Sequence, residues 1–255
     1  MSTYFVTDAH LGSGADSRQR ERELVNFLSS VEADCDRLIL LGDIFDFWFT
    51  YKYVVPKGFV RLLGKLADMV DKGIEVHYFI GNHDMWMFDY LEKEIGIFMH
   101  DEPCDMTIDG KLFHMGHGDG LCGRKTHNRH DKHYLVLKAI FRCRLNQRLF
   151  SWVNPRISFG IACGWSDSSR KSHGTKYDHY LGDQSEGIVL HCRQKIKERP
   201  YDYFVFGHRH LPMEMDVETA KYINAGDWIG HRNYVRFDGS EAKLLEYTPT
   251  DIHQE

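Results

Sequence analysis

Five times along this chain a short apolar run stops on a residue able to bind a metal ion. Tyr4-Phe5-Val6-Thr7 delivers Asp8 and His10, and Arg37-Leu38-Ile39-Leu40-Leu41 ends on Gly42-Asp43. Val76-His77-Tyr78-Phe79-Ile80 runs into Gly81-Asn82-His83-Asp84. Lys111-Leu112-Phe113-His114-Met115 runs into Gly116-His117-Gly118-Asp119, and Tyr203-Phe204-Val205-Phe206 into Gly207-His208-Arg209-His210. Runs this short, rich in branched and aromatic residues, read as buried strands. A carboxylate or imidazole at such a strand end is costly without a partner. Open α/β sheets gather their ligands at the carboxyl ends of strands. The pattern therefore predicts an α/β fold whose strand ends converge. Asp43, after a glycine that lets the backbone turn, is the natural bridge between two divalent metals.

Helical periodicity fills the intervals. Leu24, Val25, Phe27, Leu28 and Val31 predict a helix over Ser17 to Val31, and Leu62, Leu63, Leu66 and Val70 predict one over Phe59 to Asp71. A helix through Trp86, Phe88 and Leu91 is expected next, and a closing hairpin at Tyr234–Phe237 and Ala242–Glu246 around Asp238-Gly239. A chain of 255 residues suits one large domain, 1–255, with room for an insertion.

The segment 121–182 differs from the rest. Twelve basic residues, Arg124 and Lys138 among them, face only Asp131, Asp167 and Asp178, although the whole chain has net charge -5. Within it, Tyr134 to Leu145 has a broad apolar face, with Lys138, Arg142, Arg144 and Arg148 on the polar side. The segment reads as a helical, basic cap beside the metal site. Such a helix with Phe150 and Trp152 at its end suits an anionic membrane surface. The plainer alternative is a helix packed on the core with a solvated basic face. The sign asymmetry favours a phosphate- or lipid-facing role.

Sixteen histidines point to metal chemistry. Carboxylate, amide and imidazole donors at Asp8, His10, Asp43, Asn82, His117, His208 and His210 suit divalent cations such as Mn²⁺. Two metals ~3.5–4 Å apart activate a bridging water and clamp a phosphoryl group. His83 is placed to protonate the leaving oxygen, and Asp46 and Asp84 to orient imidazoles. Singly, each has an ordinary reading: a structural histidine, an N-cap at Asp8, a turn at Asn82. The ordered set does not. The amino terminus lacks the basic region of a signal peptide, the cysteines form no Cys-x-x-Cys pair, and no apolar run reaches the ~20 residues of a spanning helix. A cytosolic protein with reduced thiols is expected.

Asp8-Ala9-His10, Gly42-Asp43-Ile44-Phe45-Asp46, Gly81-Asn82-His83-Asp84, Gly116-His117-Gly118-Asp119 and Gly207-His208-Arg209-His210 together resemble the calcineurin-like metallophosphoesterase pattern. The resemblance implies an αββα two-sheet sandwich. It implies one metal on Asp8, His10, Asp43 and His210, and another on Asp43, Asn82, His117 and His208. Phe45-Asp46-Phe47-Trp48 and His117-Gly118-Asp119-Gly120-Leu121-Cys122 are similar to the UDP-2,3-diacylglucosamine diphosphatases of lipid A biosynthesis. That implies hydrolysis of a lipid-linked nucleotide sugar to UMP and 2,3-diacylglucosamine 1-phosphate, with the acyl chains held by the cap. It also implies a site on the cytoplasmic face of a Gram-negative-type inner membrane. Ser169, His173 and Lys176 match the spacing of that family's substrate-contacting run, with His173 in place of asparagine, and Arg124 joins them as a substrate contact. The best-known branch carries arginine after the metal-binding asparagine, where this chain has His83. A general phosphodiesterase or phosphomonoesterase is therefore the main alternative, ahead of a nuclease, against which the apolar cap argues. A non-catalytic scaffold would be expected to have lost ligands.

Overall fold

The computed structural model describes residues 1–121, 129–161, 164, 180, 182 and 185–249. Eleven strands are described: β1 (Ser2–Val6), β2 (Cys35–Leu40), β3 (Glu75–Phe79), β4 (Phe98–His100), β5 (Cys104–Ile108), β6 (Lys111–Gly116), β7 (Tyr203–Phe206), β8 (Met213–Val217), β9 (Ala220–Asn224), β10 (Asn233–Phe237) and β11 (Ala242–Glu246). They form two sheets, one in the order β11-β10-β1-β2-β3-β4 and the other β5-β6-β7-β9-β8. The centre of each is parallel: β1, β2 and β3 in the first, β6, β7 and β9 in the second.

Period-two alternation sorts the strand side chains into layers. Phe5, Ile39, Leu41 and Phe79 point from the first sheet toward Phe113, Met115, Val205 and Ile223 of the second. Phe5 stacks on Phe113 at 5.8 Å, and Phe113 on Tyr203 at 4.8 Å. Each fully buried side chain of this kind contributes roughly 1.5–3 kcal/mol. The alternate residues Tyr4, Val6, Leu38, Leu40, Val76 and Tyr78 face outward under helices α1 (Ser17–Val31) and α2 (Val60–Asp71). On the far side Phe204, Phe206 and Tyr222 pack with Ile188, Val189 and Cys192 of the helix Gly187–Ile196. Helix, sheet, sheet and helix thus stack in the expected αββα order.

Two local expectations are corrected. The helix through Trp86 starts later, as α3 (Tyr90–Ile95), because Trp86 bridges to Phe49 and Phe88 takes φ +51°. The basic helix is two helices, α4 (Arg129–Arg142) and α5 (Arg144–Phe150), broken where Cys143 turns extended (ψ 117°). Part of its apolar face stays in water, with Val136 61% exposed, Leu145 63% and Leu149 51%, while Phe141 and Phe150 pack on buried Trp86 at 5.5 and 4.7 Å. Strands β4, β5 and β8 and the helix Gly187–Ile196, hereafter α6, have no counterpart in the sequence reading. Among the described residues, no helix is long and apolar enough to cross a membrane.

Candidate metal centre

The parallel strands of each sheet end level, with Val6 beside Leu40 and Leu40 beside Tyr78 in one, and Gly116 beside Phe206 and Phe206 beside Asn224 in the other. The segments that follow are sewn together by main-chain hydrogen bonds. Asp8 N donates to Gly42 O (3.1 Å), His10 N to Asp43 O (2.9 Å), Gly207 N to His117 O (3.0 Å) and Trp228 N to Asp8 O (3.1 Å). Asp8, His10, Asp43, His208 and His210 all adopt positive φ, between 42° and 67°. Such backbone costs energy in a non-glycine residue and clusters at functional sites. At Gly42 (φ +92°) a Cβ would lie 2.9 Å from His117 Nδ1 and 2.8 Å from Gly81 N. Only glycine lets the three loops approach this closely.

The side chains converge. Asp8 Oδ1 lies 3.7 Å from His10 Nε2 and 3.2 Å from His210 Nε2. Asp43 Oδ2 lies 3.7 Å from His10 Nε2 and 3.3 Å from His117 Nε2. Asn82 Oδ1 is 3.2 Å from that same His117 nitrogen, and the rings of His117 and His208 are 5.1 Å apart. The outer atoms of these groups are held from behind. His117 Nδ1 donates to Leu41 O (2.9 Å), His10 Nδ1 meets Asp46 Oδ1 (3.3 Å), and His210 Nδ1 lies 3.5 Å from Asp227 Oδ2. Thr7 Oγ1 and His208 N donate to Asp8 Oδ2 at 2.6 and 2.8 Å, and His83 N to Asp43 Oδ1 at 2.8 Å. Asp8 Oδ1 and His10 Nε2, both buried, have no hydrogen-bond partner. Buried polar atoms left without partners are rare, so this pair calls for an ion.

The electrostatics agree. Burial alone lowers a histidine's pKa. It does so here, but carboxylates overcome it: Asp46 and Asp8 push His10 up to about 10, and Asp43 pushes His117 up to about 10. Burial raises Asp43, yet His117 and His83 hold it well below the usual carboxylate range. His208 is different. Burial and the neighbouring His117 bring it down to about 4. The carboxylates that raise these two imidazoles also make the pocket attractive to a metal cation. Three groups, Asp8-His10-His210, Asp8-Asp43-His117 and His10-Asp46-His83, each present donor atoms within 4.8 Å of one another. Oxygen and nitrogen donors without thiolate fit hard to borderline divalent metals.

A UDP-2,3-diacylglucosamine hydrolase of Porphyromonas gingivalis is 36% identical over 94% of this chain and 95% of its own length. The chain belongs to the UDP-2,3-diacylglucosamine hydrolase family. A second member of this hydrolase family, from Yersinia pseudotuberculosis, is 23% identical over 97% of this chain and 99% of its own. A solved archaeal phosphodiesterase covers 97% of the chain at TM-score 0.50 and 14% identity, a likeness of fold. No family model matches.

Within this hydrolase fold, the seven expected ligands and His83 and Asp46 stand together. His83 packs edge-on to His10 at 4.6 Å, and its Nδ1 donates to Asp46 O at 3.1 Å. Burial keeps its pKa below the ordinary histidine value. Asp84 departs from expectation. It accepts from Gly81 N at 2.9 Å and from Tyr78 Oη, so it braces the Gly81–Asp84 turn rather than an imidazole. Burial and Asp43 raise its pKa to about 6. Arg124, Ser169, His173 and Lys176 lie outside the described residues.

Two supporting residues escaped the sequence reading. Asp227 follows β9 as Asp8 follows β1, a signal present in Asn224-Ala225-Gly226-Asp227. Arg20 is buried and donates to Ala9 O (2.7 Å), His10 O (3.2 Å) and Ser13 O (2.7 Å), bracing the first ligand loop from α1. Nothing in the helical pattern marks it out.

Proposed function

We propose that this chain is a dimetal phosphohydrolase that cleaves the pyrophosphate of UDP-2,3-diacylglucosamine, giving UMP and 2,3-diacylglucosamine 1-phosphate. The observation that carries the reading is the convergence of seven strand-end donors around the unpartnered Asp8 Oδ1 and His10 Nε2. The relatives' name supplies the substrate. Asp8, His10, Asp43 and His210 would hold one divalent cation, and Asp43, Asn82, His117 and His208 the other, with Mn²⁺ the first choice for this donor set. When bound, the cations supply Lewis acidity toward a phosphoryl oxygen and lower the pKa of water.

The chain's own groups do the rest. Asp46 Oδ1 and Leu41 O receive the outer nitrogens of His10 and His117, so the imidazoles turn Nε2 inward. His83, with Nδ1–H committed to Asp46 O, keeps Nε2 as its remaining proton site, and its imidazolium form would deliver that proton to the departing phosphoryl oxygen. The exposed apolar side chains Leu145, Leu149 and Trp152, with Arg144, Arg148 and Arg156 between them, suit acyl chains and an anionic membrane surface. On this reading 121–182 is a cap, and the protein works as a peripheral enzyme on the cytoplasmic face of the inner membrane.

His83 itself favours the second reading, a general phosphodiesterase. The deciding experiment compares UDP-2,3-diacylglucosamine with bis-p-nitrophenyl phosphate in added Mn²⁺. A large preference for the lipid nucleotide is expected, and the reverse preference would leave only the general phosphodiesterase.

A further inference from the structure

Among the described residues, helix α4 meets the body at Trp86, Asp101, Glu102 and Asp119, the last on the loop that carries His117. Lys138, mostly buried, donates from Nζ to Asp119 Oδ2 at 2.5 Å and to Asp119 O at 3.3 Å. Asp119 is buried and stands two residues beyond His117, across Gly118 at φ +114°. Its carboxylate acts electrostatically on both His117 and His208. The other end of α4 is tied less directly. Trp86 Nε1 donates to Phe141 O (2.8 Å), and Arg142 pairs with Glu102 and donates to Asp101 O (2.8 Å) on the exposed surface. Between these ties the helix shows Val136 and Ile140 to solvent. Apolar contact holds the far end, where the Phe141 ring packs on buried Trp86 at 5.5 Å, and the Lys138–Asp119 pair is the tie at the metal-ligand loop. Exposed ion pairs contribute little, whereas removing one partner of a buried pair is costly.

We infer that Lys138 and Asp119 form a positioning pair that seats α4 on the metal-ligand loop, so that lipid substrate is bound only when the helix is tied to His117's loop. The inference rests on the phosphohydrolase reading for its kinetics but not for its structural arm. A lysine is required here for charge and reach, not for proton transfer. Neutralising it leaves Asp119 buried beside two imidazoles and releases the helix.

The test uses the full chain with saturating Mn²⁺ and three variants, Lys138→Met, Lys138→Arg and Asp119→Asn. For Lys138→Met, KM for UDP-2,3-diacylglucosamine should rise about tenfold or more, and more than kcat falls. kcat/KM for bis-p-nitrophenyl phosphate, which has no acyl chains, should fall less. Chymotryptic cleavage within 129–150 should quicken about tenfold in both Lys138→Met and Asp119→Asn, and Lys138→Arg should restore most of both effects. An unchanged cleavage rate, or a loss confined to kcat and equal on the two substrates, would overturn the inference. If the parent protein hydrolyses neither substrate, the phosphohydrolase reading fails, and the cleavage comparison still decides whether Lys138 seats the helix.

Discussion

The metal centre and the α4–α5 helices solve opposite problems with the same chain. In the centre, polar residues are buried and their outer atoms are bonded from behind by Leu41 O, Asp46 and Asp227. In α4–α5, Val136, Ile140, Leu145 and Leu149 are exposed while Phe141 and Phe150 anchor the helices on Trp86. The first region spends strain, at five non-glycine residues with positive φ, to fix atoms. The second keeps greasy, basic surface available. On the reading proposed above, the contrast is that of a rigid reaction site and an exposed lipid-facing surface.

The two regions should fail differently. Asp43→Ala removes the carboxylate shared between His10 and His117, and activity should drop below detection together with metal content. Full activity in that variant would remove the bridging role. His83→Ala should lower kcat by roughly 10²–10⁴-fold with metal content intact. Loss of metal instead would make His83 a ligand and enlarge the rigid region by one residue.

The pH dependence sharpens the same contrast. His10 and His117 are held up to about 10 in the metal-free chain, above the ~6.5 of an unfolded histidine. The stability they lend is complete below about pH 6.5 and is lost as pH rises toward 10. Metal binding must expel those protons. Affinity for Mn²⁺ should therefore strengthen with pH, by about tenfold per unit for each imidazole that must deprotonate. Calorimetric titration across neutral pH checks this, and a flat profile would mean the imidazoles do not bind metal. The smallest effect is expected on the exposed surface. Trp152→Ala should change stability by no more than ~0.5 kcal/mol in urea unfolding, because the side chain is 84% exposed, yet weaken binding to anionic vesicles. Phe113→Ala in the inter-sheet core should cost about 3–5 kcal/mol in the same assay.

The centre was legible in the sequence because each donor follows a buried strand. A strand end is a fixed place in an α/β sheet, so residues from Asp8 to His210 could be placed together before any coordinates. α1 was legible to the residue, since Leu24, Phe27 and Leu28 lie at helical spacing and are fully buried. The helical segment was less so. Periodicity reports an apolar face but not what covers it, and here the core covers Phe141 and Phe150 but not Val136, Leu145 or Leu149. The break at Cys143 has no glycine or proline to announce it. Edge strands β5 and β8 were missed because polar residues such as Asp105, Thr107, Glu214 and Asp216 interrupt the apolar runs that mark central strands, and β4 is only three residues long. Asp84 was misplaced because proximity to a ligand in sequence does not say which way a carboxylate faces.

The central claim is that two cations share Asp43. Anomalous scattering from crystals of the full chain grown with Mn²⁺ tests it most directly. The account predicts two peaks with Asp43 touching both, Asp8, His10 and His210 on one, and Asn82, His117 and His208 on the other. A single peak, or a pair not joined through Asp43, would contradict it.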